Sequence, residues 1–303
     1  MTAWLGATIA AALMLAACDQ GPGPTARLTV AATVYPLYEF THRVAGSTVD
    51  VLALVPAGVE PHDWEPSAGD VSRIRTARAL VYNGVGLDSW VEKLDDGRGR
   101  TGPVLVRATE GLPLLPATPD EAGARDGSAS DPHVWLDPVL AQAMVETIRA
   151  ALARADPSHA AAYADNARAF TGELAALDRD FATGLATCAR RDVVTSHAAW
   201  AYLAARYRLT TLAVMGVAPE SEPSPARLAS IARVAREKKV KYIFVETLAS
   251  PRLAETLARE IGAETLVLNP IEGVTAEEAA AGKGYLSLMG ENLRTLRRGL
   301  DCR

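Results

Sequence analysis

The sequence predicts an α/β protein of two lobes, each a mostly parallel sheet flanked by helices, joined by one long rigid α-helix. Three observations carry this. Short β-branched runs alternate with helical stretches through both halves of the chain, the pattern of parallel strands covered on both faces. Between the halves, Tyr163, Ala167, Phe170, Leu174, Leu177, Phe181 and Leu185 recur at spacings of three and four. That is one apolar stripe on a helix of roughly 30 residues, about 40 Å long at 1.5 Å per residue. Finally, 303 residues with 49% hydrophobic and 22% charged content suffice for two ordinary cores.

Taken in order, the chain opens with a run of apolar and small residues from Ala3 to Ala17, broken only by Thr8. It is shorter than the roughly 20 residues a bilayer span needs, and it reads as a signal peptide over 1–17, although no Lys or Arg precedes it. Residues 18–26, rich in Gly and Pro, form a tether. The N-terminal lobe covers 27–138. Strands are expected at 28–34, 49–55, 79–82 and 104–106, with helices at 36–45, 67–77 and 87–94. Residues 113–131 combine acidic residues, Pro, Gly and Ser without periodicity and read as an exposed loop. Asp137-Pro138 has the form of a helix N-cap followed by proline at N1. Linking helices occupy 139–187, restarting at Asp156-Pro157. The C-terminal lobe covers 188–303, with strands at 192–196, 210–214, 242–245 and 265–268 and helices at 198–206, 225–238, 251–261 and 285–300.

Net charge is −5, so no basic field holds a polyanion, and nucleic acid is excluded as a partner. Leu15-Ala16-Ala17-Cys18 resembles the lipobox of bacterial lipoproteins, which implies lipidation of Cys18 and a membrane anchor without a span. Two cysteines remain, Cys188 and Cys302. In an exported chain an even pair reads as a disulfide, which on the loop-entropy model contributes about 4 to 5 kcal/mol.

Five histidines are candidates for chemistry. His42 lies inside a helical segment and His159 in the first turn of the long helix, positions that suit structural or solvated roles. His62, in Glu60-Pro61-His62-Asp63-Trp64, and His133, in Asp131-Pro132-His133-Val134-Trp135-Leu136-Asp137, stand in Pro-punctuated loops. His197 ends the β-branched run Val193-Val194-Thr195-Ser196, which puts an imidazole at the carboxyl end of a strand, where open α/β sheets bind ligands. Singly, each is more often a hydrogen-bonded crevice histidine. Together they suit one metal ion, and imidazole favours zinc over magnesium or calcium. Asp63, Asp131 and Asp137 could orient the rings. Trp64 and Trp135 read as packing that excludes water.

In order along the chain stand the lipobox, Pro61-His62-Asp63, Asp131-Pro132-His133-Val134-Trp135-Leu136-Asp137-Pro138, Thr195-Ser196-His197, Pro219-Glu220-Ser221-Glu222-Pro223-Ser224, Phe244-Val245-Glu246 and Asn269-Pro270-Ile271-Glu272-Gly273. In these the chain resembles the substrate-binding lipoproteins of bacterial zinc and manganese ABC transporters, zinc-type. The resemblance implies two α/β lobes with the metal in the cleft between them, and ligands at His62, His133 and His197. It implies a cargo of zinc, with manganese second, delivered to a membrane permease by a monomer held outside the cytoplasm through Cys18. The fourth ligand of the family is commonly an aspartate in a Leu-Asp-Pro context, and this chain has Leu268-Asn269-Pro270. The fourth place is then Asn269, a water or a carboxylate such as Glu246. Without a carboxylate ligand, binding is expected to weaken. Residues 113–131 lack the histidines of the family's metal-collecting insert.

The rival class is a secreted three-histidine zinc hydrolase with an open fourth position, Glu246 being available as a base. No His-Glu-x-x-His or Gly-x-Ser-x-Gly supports it, and Gly84-Val85-Gly86 lacks the third glycine of a dinucleotide loop. Adhesion, known among some relatives, leaves no readable mark in the sequence.

Overall fold

The computed structural model describes residues 27–94, 102–117, 130–218 and 223–303. The signal segment 1–17, Cys18 and the 18–26 tether lie outside the described residues, as do 219–222 and most of the 113–131 loop. Among the described residues no helix is long and apolar enough to cross a membrane.

Eight strands are found there: β1 Leu28–Ala32, β2 Val49–Ala53, β3 Ala79–Tyr82, β4 Val104–Arg107, β5 Asp192–Thr195, β6 Thr210–Ala213, β7 Tyr242–Val245 and β8 Glu264–Val267. They form two four-stranded sheets, ordered β2-β1-β3-β4 and β6-β5-β7-β8, and every pair is parallel. The same order thus occurs twice. In each sheet the first strand is the switch point, where the chain adds one neighbour on one side and the next on the other.

Parallel strands buried on both faces read as unbroken apolar runs, which is why they are legible. Val30 and Ala32 of β1 face one cluster and Ala31 between them another. In the second sheet Val193 and Phe244 share the first cluster, while Val194 and Ile243 face a third. The first cluster is continuous across the molecule. It runs from Phe40 and Trp135 through Tyr163 and Phe181 to Tyr285 and Leu296, so one shared core joins both lobes.

The helices are α1 Tyr35–Ala45, α2 Ala68–Thr76, α3 Pro138–Ala155, α4 Ala160–Gly184, α5 Ala201–Tyr207, α6 Pro225–Glu237, α7 Arg252–Ile261, α8 Ala276–Ala280 and α9 Tyr285–Gly299. Asp137 caps α3 by accepting from the N–H groups of Val139 and Leu140. The long helix α4 has 25 residues and buries the predicted stripe from Tyr163 to Phe181. Its first half binds the N-terminal lobe: Asn166 Nδ2 donates to the Val44 carbonyl at 3.0 Å, and Phe170 meets Phe40 with ring centres 5.6 Å apart. Its second half binds the C-terminal lobe, where Asp178 pairs with Arg206 at 2.6 Å and Phe181 stacks on Tyr207. A helix packed on both lobes along its length restrains their relative motion.

Two expected helices differ. Residues 87–94 form a 3-10 turn over Ser89–Leu94, because Gly84, Val85 and Gly86 all have positive φ and wind the chain before a helix can start. The helix after His197 begins only at Ala201, since the Ala198 N–H donates to the Gly216 carbonyl at 3.0 Å.

Cys188 and Cys302 are joined, closing a sequence separation of 114 residues. Reduction is expected to lower the unfolding free energy by about 4 kcal/mol on the loop-entropy model. Urea titrations with and without reductant measure it. A loss below about 1 kcal/mol would mean that the neighbouring backbone bonds, Ala189 to Asp301 and Arg190 to Leu300, hold the tail unaided.

Candidate metal centre

The carboxyl ends of the two sheets face one another, and four side chains converge there. His62 sits in a 3-10 turn over Pro61–Asp63, entered through Glu60, whose carboxylate accepts the His62 backbone N–H at 3.1 Å. His133 precedes the 3-10 turn Val134–Leu136. Asp131 Oδ1 accepts from its backbone N–H at 2.8 Å and lies 2.7 Å from its ring Nδ1. His197 follows β5 by two residues, and Glu246, directly after β7, holds it from behind. Glu246 Oε1 accepts the His197 backbone N–H at 3.1 Å as well as the Ser196 hydroxyl, and Oε2 lies 2.6 Å from Nδ1. Glu246 is thus the ion-pair partner of the His197 ring on the side away from the cleft. With a carboxylate behind each Nδ1, both rings present Nε2 to the cleft.

The fourth side chain is Glu272, beyond β8. Its Oε1 lies 2.7 Å from His133 Nε2, 3.0 Å from His197 Nε2 and 3.3 Å from His62 Nε2. One donor atom from each of the four residues falls within 4.8 Å of all the others. His133 and His197 are fully buried and Glu272 is 2% exposed, while His62 stands at the mouth of the site. Trp135, itself buried, packs edge-on against the His133 ring and donates Nε1–H to the Pro270 carbonyl at 2.8 Å. It therefore forms a wall of the site.

Burial alone would strip charge from these groups, but it is outweighed. For His133 burial pushes the pKa down, and Asp131 and Glu272 together push it above the usual imidazole value. For His197 burial likewise pushes down, and Glu246 and Glu272 carry it well above. Burial pushes Glu272 up, yet His197, His62 and His133 hold it well below the usual carboxylate range. Each of these shifts favours the charged form of its group against the pull of burial.

Sequence reasoning grouped His62, His133 and His197, and the structure brings these three together. His42 and His159 lie elsewhere, the latter bonded to Asp156. The fourth place differs from the expectation. Asn269 is turned away, with Oδ1 accepting the Ile271 N–H at 2.8 Å and Nδ2 donating to Glu278 at 3.2 Å. Glu246 is not in the group either, because its carboxylate is spent on the far side of His197. Glu272 was legible only as part of the Asn269–Gly273 stretch. The available signal was a carboxylate just beyond a strand end, the same context as His197. Of the three aspartates expected to orient rings, Asp131 does so, Asp137 caps a helix and Asp63 is exposed.

Comparison with known proteins follows the same lines. The family model of ZnuA, zinc-uptake complex component A, periplasmic, matches residues 30–299. The chain belongs to the ZnuA family. ZnuA family members are transport components. The high-affinity zinc uptake system protein ZnuA of Bacillus subtilis is 37% identical over 311 residues, covering 98% of each chain. The zinc-binding lipoprotein AdcA of Streptococcus pneumoniae is 40% identical over 96% of this chain, which spans 59% of the length of AdcA. Among solved structures, the Zn(II)-bound ZnuA-like domain of that AdcA superposes with a TM-score of 0.78, covering 91% of this chain and 99% of the domain. The laminin-binding protein Lmb of Streptococcus agalactiae, described as having adhesin and metal-transporting activity, is 32% identical with a TM-score of 0.81, covering 90% and 99%.

Proposed function

We propose that the protein captures zinc outside the cytoplasm and delivers it to the permease of an ABC importer, with His62, His133, His197 and Glu272 as the four ligands. The observation that carries this reading is the buried convergence of three imidazole Nε2 atoms and one carboxylate oxygen. That donor set suits tetrahedral zinc, whereas magnesium and calcium favour all-oxygen sites. The carboxylate lowers the formal charge of a bound divalent ion by one, reversing the weaker binding expected for a site without it. A glutamate in this set is compatible with manganese as well, so the ion is the first thing to test.

The chain acts as a carrier and not as an enzyme. A catalytic zinc keeps one position open for water, and four protein donors close that position. Zinc-binding lipoproteins among the relatives support lipidation at Cys18, which would tether a monomeric carrier near its permease. The helix α4 and the shared core favour small lobe shifts on loading over wide closure.

Mass spectrometry of the exported protein is expected to find one zinc per chain. In competition titration manganese should not displace it. Stoichiometric manganese in its place would overturn the zinc assignment.

A further inference from the structure

Glu272 reaches the cluster through a turn that its own sequence disfavours. Ile271, immediately before it, has φ +58° and is fully buried. A β-branched residue is a rare occupant of that region, and it persists only where the surroundings over-determine the backbone. Here they do. Asn269 Oδ1 accepts the Ile271 N–H at 2.8 Å, bridging the turn from inside. Asn292, on α9 and itself 2% exposed, grips Asn269 by both backbone groups: its Oδ1 accepts the Asn269 N–H at 2.8 Å, and its Nδ2 donates to the Asn269 carbonyl at 2.6 Å. Trp135 takes the Pro270 carbonyl, and the Tyr35 N–H takes the Glu272 carbonyl at 3.3 Å. Beyond the turn, Gly273 packs closely under Leu248, whose Cδ1 would lie 2.8 Å from a Cβ there and would have to shift to admit one.

We propose that Asn269 and Asn292 are positioning residues that hold the left-handed turn at Ile271 and so preset Glu272 for the metal. Neither amide touches the ion. Asn269 acts through the backbone of its neighbour Ile271. The inference rests on Glu272 being a ligand, as proposed above.

The test is a set of zinc and cobalt(II) titrations on Asn269→Ala, Glu272→Ala, the double variant, and Asn269→Ala combined with Ile271→Gly. Asn269→Ala is expected to raise the zinc dissociation constant about 10- to 100-fold, the usual effect of losing support behind a ligand. In the Glu272→Ala background the same change should cost nothing further. Its cobalt(II) absorption should weaken towards that of Glu272→Ala, a signature that a loss of stability alone does not produce. Glycine accepts positive φ freely, so Ile271→Gly should recover much of the affinity. Asn292→Ser, which keeps the Asn269 side chain, supplies the same reading if Asn269→Ala fails to fold. Unchanged affinity in Asn269→Ala, or an equal loss with and without Glu272, overturns the positioning role. Unchanged affinity in Glu272→Ala overturns the ligand assignment itself.

Discussion

Alanine in place of His133 is expected to raise the zinc dissociation constant about 100- to 1,000-fold. Zinc sites with four protein ligands bind with roughly 10 to 16 kcal/mol, so an even share per ligand is about 2.5 to 4 kcal/mol, or about two to three decades. His133 should not fall below that share. Its ring is fully buried, Asp131 fixes it at both the backbone and Nδ1, and Trp135 packs edge-on against it. His42→Ala is the control, because His42 is exposed on α1 and outside the cluster. Competition against a chromophoric chelator measures both. An unchanged constant for His133→Ala would remove this residue from the site, and with it the convergence on which the zinc reading depends.

Strands were legible because a parallel strand covered on both faces has no polar side to interrupt it. The long helix was legible because its stripe continues without a break from Tyr163 to Phe181. Less legible were the places where a single hydrogen bond or backbone angle overrides composition. Ala198-Ala199-Trp200 has the makeup of a helix start, yet the Ala198 N–H is committed to the Gly216 carbonyl and the helix is delayed. The site divides in the same way. Histidine is scarce in this sequence, so three of them at strand ends and Pro-rich loops stand out. Glutamate is common, and nothing in its immediate neighbours marks Glu272 except the pattern Asn269-Pro270-Ile271. That pattern includes a positive φ on isoleucine, which residue preferences argue against and which the contacts of Asn269, Asn292 and Trp135 surround.

Zinc affinity is expected to fall steeply with acidification, by up to about 100-fold per pH unit where both His133 and His197 carry protons. The direction follows from the shifts. Raised imidazole values mean that the metal-free protein holds protons that zinc must expel. The folded, metal-free state gains stability from these two rings below the ordinary imidazole value of about 6.5, and loses it as pH rises through their raised values. Glu272 works the other way. Its lowered value contributes stability above the ordinary carboxylate value of about 4.3, lost as pH falls through the depressed one. Between those limits the empty cluster is held together by its own ion pairs. Above them the imidazoles are free, the metal-free cluster is weakest, and zinc has no proton to displace. Zinc should therefore stabilise the protein more at pH 8 than at pH 6. Calorimetry in buffers of different ionisation enthalpy counts the protons released per zinc bound. One to two at pH 6 is the expected result, and none would mean that the cluster is already neutral before the ion arrives. On the proposed function, zinc uptake is expected to exchange protons for metal, so that the buried charge of the cluster stays nearly balanced with and without the ion.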